Sequence, residues 1–267
     1  MTIPYITPKQ REIPKLIYKF RFLDRKQIQK LLNHKDKRRI NSWLKDLSEK
    51  DYLEKVPKDN TFAERSKPTI YRIGINGIRF LSIQDDCSKE IIKKLYKNKN
   101  RSDGFINQCI LLCDIYLTLQ NKNINQDNLS YEAITSSDFI YPKSPFHFIT
   151  NLSPNLIYKE VKKHKKGTPS RYYLIETFEQ TLPRYSIRKR IRTYLEFYYS
   201  NLWEDNINKD FPILKFICPT KSELIYTKRY TKKLLQDYQN PTDLHIRFAT
   251  VDEVKKLGIS GEIWEEI

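Results

Sequence analysis

A group of carboxylates, one amide and one lysine in the middle of the chain has the spacing from which phosphodiester hydrolysis could be built. That reaction needs acidic side chains from adjacent strands to converge on a divalent cation, with a lysine to orient or activate water. The stretch "SPNLIYKEV" (153–161) opens a strand-like run with Pro154-Asn155, and "SRYYLIETFEQT" (170–181) follows with Glu176. An aspartate at 155 would supply a charged ligand, whereas Asn155 offers a neutral amide oxygen. Two residues beyond Glu176 stands Phe178, so no lysine follows that carboxylate on its side of the strand. Glu132, Glu160 and Lys159 are the remaining candidates for a rearranged site, although Glu160 lies one residue out of phase with Lys159 on a strand. The expectation is a framework without a hydrolytic centre, in which Glu176 pairs with Arg188 or Arg192 of the following helix. No metal and no cofactor are expected; magnesium or manganese enters only with the nuclease or nickase alternative.

Other reactive residue types are scattered. His34, His147, His164 and His245 form neither a His-x-His nor a His-x-x-x-His pair, so a histidine-cluster transesterification site with a tyrosine nucleophile lacks support. Cys109 and Cys113 are four apart in an apolar helical stretch and read as reduced core thiols; Cys87 and Cys218 complete no zinc spacing. Six glycines in 267 residues leave no phosphate-cradling loop.

The charge points to a polyanion. Lys and Arg number 49 against 32 Asp and Glu, a formal net charge of +17, and nucleic acid is the first partner this implies. Residues 1–82 carry 20 basic and 9 acidic residues, a local excess of 11. The N-terminal stretch, broken by Pro and charge, reads as neither signal peptide nor membrane span, and a cytoplasmic protein without membrane attachment is expected.

These residues need elements to hold them. "QREIPKLIYKFRFLDRKQIQKLLN" reads as a helix, a turn at Phe22–Asp24 and a second helix with Asp24 as cap and Gln27 as its capping-box partner. "DKRRINSWLKDLSEKD" reads as a third helix capped by Asp36, burying Ile40, Trp43, Leu44 and Leu47. Two strand-like runs, "YLEKVPK" and "KPTIYRIGINGIRFL", follow around an irregular polar tip, and a final turn at "INGIRFLS" closes the unit. Three helices and a hairpin make a winged helix-turn-helix over residues 1–84. Its third helix would meet duplex DNA through Lys35, Lys37, Arg38, Arg39, Asn41, Ser42 and Lys45, with Arg65 and Lys67 on the wing.

Residues 85–102 read as a linker helix and hinge. From 103 to 267 the periodicity predicts α, β, β, β, α, β, α, β, the αβββαβ core of a restriction-endonuclease-like domain with a mixed sheet, so the fold class is α+β or mixed α/β. A basic tip "KKHKKGTPS" joins two of its strands, and Arg188, Lys189 and Arg192 crowd the start of a helix, a second set of phosphate contacts. Positive charge there opposes the helix dipole, which favours a binding role.

"IYKFRFLDRKQIQKLL", "RRINSWLKDLSEKDYLEKV", "IYRIGINGIRFL" and "FICPTKSELIYTKRYTKKLLQDYQ" together resemble the replication-relaxation family of plasmids and mobile elements. The resemblance implies a winged helix joined to a PD-(D/E)XK nuclease-like domain and a place in plasmid DNA replication or mobilisation. The leading expectation is a double-stranded DNA-binding protein in replication, mobilisation or their control. The alternatives are a metal-dependent nuclease or nickase, or an adaptor bringing a relaxase, replication initiator or DNA translocase to DNA. A homodimer on a palindromic site is a further expectation, though no clear dimer stripe stands out.

Overall fold

The computed structural model describes residues 3–57, 61–62, 66–125, 129–162, 170–238 and 241–267. The chain divides into two compact units, Met1–Leu117 and Thr118–Ile267. Among the described residues no helix is long and apolar enough to cross a membrane.

The first unit begins with helix α1 (Pro8–Phe20), where Thr7 and Gln10 form a capping box and Pro8 occupies the first turn. Arg21 turns the chain at φ 68° into the two-residue strand β1 (Leu23–Asp24). Helix α2 (Arg25–Leu31) is capped by Asp24 with Gln27, as the sequence predicts. Helix α3 (Lys37–Glu49) is capped by Asp36 and buries Ile40, Leu44 and Leu47, leaving Trp43 half-buried. Strands β2 (Leu53–Lys55) and β3 (Ile70–Ile73) form the expected antiparallel pair, and β1 adds a third strand in the order β1-β3-β2.

The sequence reading fails at Ile75–Ser82, which is a helix, α4, rather than a turn. The helix lies close to its neighbour: a Cβ at Gly74 would lie 2.4 Å from the Asp51 carbonyl oxygen, and one at Gly77 would lie 2.3 Å from that of Tyr52. The two glycines let α4 settle directly on the backbone that enters β2.

Segment 85–102, expected as a hinge, lies inside the first unit. Helix α5 (Lys89–Tyr96) buries Ile91, Ile92 and Leu95. Tyr18 Oη accepts from the Ser88 amide at 2.7 Å, and Arg21 donates to Asn98 Oδ1 and, at 3.1 Å, to the Lys94 carbonyl. Helix α6 (Asp103–Asn125) contains the unit boundary; its Ile106 and Cys109 pack with Phe22, and Gln27 Nε2 donates to Ile110 O and Asp114 Oδ1. Cys109 and Cys113 are buried and form no disulfide among the described residues.

The second unit is built on a six-stranded mixed sheet in the order β4-β5-β6-β7-β8-β9. Strands β4 (Leu129–Thr135), β5 (Leu156–Lys162) and β6 (Arg171–Thr177) pair antiparallel. Strand β7 (Ile213–Cys218) runs parallel to both β6 and β8 (Ile246–Thr250), and β9 (Glu265–Glu266) closes the edge antiparallel. After β4 comes a single turn, α7 (Ser136–Phe139); after β6 come α8 (Arg184–Tyr199) and α9 (Leu202–Ile207). Helix α10 (Lys221–Asp237) joins β7 to β8. Strand β8 ends at Thr250, which with Glu253 forms a capping box and starts helix α11 (Val251–Leu257).

Candidate functional site

In α3 the Asp36 carboxylate accepts from the Arg38 amide at 2.7 Å and the Arg39 amide at 3.3 Å. These bonds hold its carboxyl below the usual carboxylate range and start the helix where the basic run begins. With Ile40, Leu44 and Leu47 turned inward, Lys37, Arg38, Arg39, Asn41, Ser42 and Lys45 are exposed, as is Lys35 just before them. Lys45 reaches Glu49 at 3.7 Å. Among the described residues Lys35, Lys37, Arg38 and Arg39 have no carboxylate within ion-pair distance. Arg39 lies over the Trp43 ring at 5.7 Å, and His34 meets the same ring edge-on at 5.1 Å. Cations at a helix N-terminus oppose its dipole, here offset in part by the Asp36 carboxylate beside Arg38. Lys67 is exposed; Arg65 and most of the 162–170 tip lie outside the described residues.

In the second unit the carboxylates stay apart. Glu176 Oε2 accepts from Arg190 Nη2 at 2.7 Å and Tyr194 Oη at 2.8 Å. Its partner is therefore Arg190, not Arg188 or Arg192. Ile187, Ile191, Tyr194 and Leu195 face the sheet, and Arg190 stands at the margin of that stripe while Arg188 and Arg192 turn to solvent. Arg190 also donates to the Leu152 carbonyl and, at 2.9 Å, to that of Ser153. Burial opposes the charge on Arg190, but Glu176 and Tyr194 outweigh it and raise its pKa.

Asn155 Oδ1 accepts from the Thr177 amide at 2.7 Å and its hydroxyl at 3.0 Å, tying the mouth of β5 to the end of β6. Phe178 is buried and stacks on Phe216 with ring centroids 5.7 Å apart. Glu132 lies opposite Lys159, with 3.6 Å between Oε2 and Nζ, but the pair meets β6 at Tyr172. Four residues, roughly 13 Å of strand, separate Tyr172 from Glu176. Glu160 pairs with Tyr131 in register and projects to the opposite face. These residues do not fit a divalent cation: one carboxylate is neutralised by arginine, one lies on the other face, and the amide oxygen is engaged. Among the described residues no three His, Cys, Asp or Glu side chains are grouped to hold a metal ion.

The opposite face carries a group that the sequence reading passed over. Lys215, in the centre of β7, is 4% exposed and donates to Tyr158 Oη at 2.8 Å and the Ile259 carbonyl at 3.3 Å. The rings of Trp264 and Tyr173 lie 4.4 and 4.7 Å from its Nζ. Burial first, then Arg247, pushes its pKa down to about 7, against the pull of Glu160. The available signal was a lone lysine inside the apolar run "FPILKFICPT".

Arg188, Lys189 and Arg192 are all exposed on α8, and none has an ion-pair partner among the described residues.

The family model described as replication-relaxation matches residues 15–209. No curated protein and no solved structure matches the chain.

Proposed function

Because the chain belongs to the replication-relaxation family, we propose that it is a double-stranded DNA-binding protein acting in plasmid or mobile-element replication, mobilisation or their control. The first unit is read as a winged helix-turn-helix: its order α1-β1-α2-α3-β2-β3 and its β1-β3-β2 sheet are what supports that. Helix α3 is its recognition helix, Asn41 and Ser42 facing base edges while Lys37, Arg38, Arg39 and Lys45 hold phosphates. The single observation that carries this reading is the set of exposed cations at the start of α3, Lys35, Lys37, Arg38 and Arg39, that form no ion pair among the described residues.

The second unit is read as a restriction-endonuclease-like framework that does not hydrolyse DNA. The engagement of Glu176 by Arg190 and Tyr194, and of Asn155 by Thr177, supports this. Such a framework would serve as a clamp or as a docking surface for a relaxase, replication initiator or translocase.

Fluorescence anisotropy with a labelled duplex from the replication or transfer origin tests the duplex reading. The double variant Arg38→Ala/Arg39→Ala should lose at least about tenfold in affinity and lower the salt slope by about 2. Absence of any duplex complex with the wild-type protein at low ionic strength would sink it.

A further inference from the structure

Helices α8 and α10 pack side by side on the sheet of the second unit. Of their basic residues, Arg190, Lys221 and Lys228 are committed to Glu176 and Glu265. Arg184, Arg188, Lys189 and Arg192 of α8 and Arg229 and Lys233 of α10 are exposed and lack ion pairs among the described residues. Glu196 and Asp237 are the only exposed acids on the two helices. This is a surface on which cations gather without internal compensation.

The cations share the face with tyrosines. Tyr185, Arg188, Arg192 and Tyr199 follow one another at intervals of three, four and seven residues, which places them on one helical stripe. Tyr185 is 65% exposed and Tyr199 44%. Fourteen residues separate them, about 21 Å along the axis. At the far end Tyr199 stacks on exposed Tyr238, centroids 5.2 Å apart. Between the helices Arg184 sits over the Tyr226 ring at 4.5 Å and Arg192 over that of Tyr230 at 6.0 Å, so two guanidinium groups are held in place before any ligand arrives.

We propose that this α8–α10 face binds single-stranded nucleic acid, its arginines following the phosphates and Tyr185 and Tyr199 stacking on unpaired bases. A duplex hides the faces of its bases, so exposed rings have nothing to stack on there; a single strand presents both charge and ring faces. The inference concerns the second unit and goes beyond duplex recognition by the first, which can stand or fall separately.

The test uses the full chain, a fluorescein-labelled 20-nucleotide single strand of mixed sequence, and the matching duplex. Tyr185→Ala should weaken single-strand binding about five- to hundredfold, the range of one base–aromatic stack, while Tyr185→Phe keeps it. Arg188→Ala/Arg192→Ala/Arg229→Ala should weaken it at least tenfold and flatten its salt slope by about 2. Both should leave duplex affinity within about twofold, and Arg38→Ala/Arg39→Ala should do the reverse. All these side chains are exposed, and unchanged melting temperatures check that the variants are folded. Unchanged single-strand affinity in Tyr185→Ala overturns the proposal, as does failure of the wild type to bind the single strand. Equal loss of strand and duplex binding also overturns it, because the face would then be a duplex-backbone contact.

Discussion

Arg190 Nη2 lies 2.7 Å from Glu176 Oε2, in a contact where the two side chains are 22% and 10% exposed. Tyr194 Oη donates to the same carboxylate oxygen, and Arg190 also donates to two carbonyls at the approach to β5. The cluster ties α8 to the turn before β5 and to the end of β6. Breaking such a pair from one side leaves a buried charge, so Arg190→Met should cost about 3–5 kcal/mol. Urea denaturation measures it, and the double variant Arg190→Met/Glu176→Leu should recover part of the loss, a coupling readable from the four-protein cycle.

Asn155→Asp restores a carboxylate at the mouth of β5 without changing its size. Its oxygen can still accept from the Thr177 amide, so the fold should survive with little change in melting temperature. Supercoiled plasmid incubated with this variant and magnesium or manganese should remain intact, because Glu176 stays bound to Arg190 and Phe178 still fills the position of a lysine. Nicking by Asn155→Asp that disappears in Asn155→Asp/Glu176→Ala would show instead that the centre needs only this one carboxylate.

Lys215 predicts a pH dependence. Its folded pKa of about 7 lies below the ordinary 10.5. Between these values the unfolded chain carries a proton that the folded chain has released, so stability rises with pH across the window. Below pH 7 both states are protonated and the full burial penalty applies. Thermal melts from pH 6 to 10 should show Lys215→Met flatter than the wild type, with a difference on the order of a few kcal/mol across the window. Parallel profiles would mean that the amine is not the titrating group.

Gly74→Ala tests the close approach of α4 to the start of β2. The added methyl would meet the Asp51 carbonyl oxygen at 2.4 Å, and the backbone must shift to admit it. A loss of about 1–3 kcal/mol is expected in chemical denaturation.

Much of the architecture was legible in the chain because it is local. Asp24 with Gln27 and the Asp36 cap announce where α2 and α3 begin, and the spacing of Ile40, Leu44 and Leu47 shows which side of α3 faces outward. That spacing is why the basic and polar residues from Lys35 to Lys45 could be placed on one exposed surface from sequence. The box at Thr250 and Glu253 that starts α11 is equally local.

What only the tertiary structure decided is which distant groups meet. The choice of Arg190 over Arg188 and Arg192 depends on the rotation of α8 against the sheet, and a basic helix carries no mark of that angle in its own composition. Asn155 reaches Thr177, and Lys215 gains its ring of tyrosines, through strand register. Register is settled by the pairing of segments far apart in the chain, whereas caps and helical faces are settled within a few residues, which is where a sequence read alone has its reach.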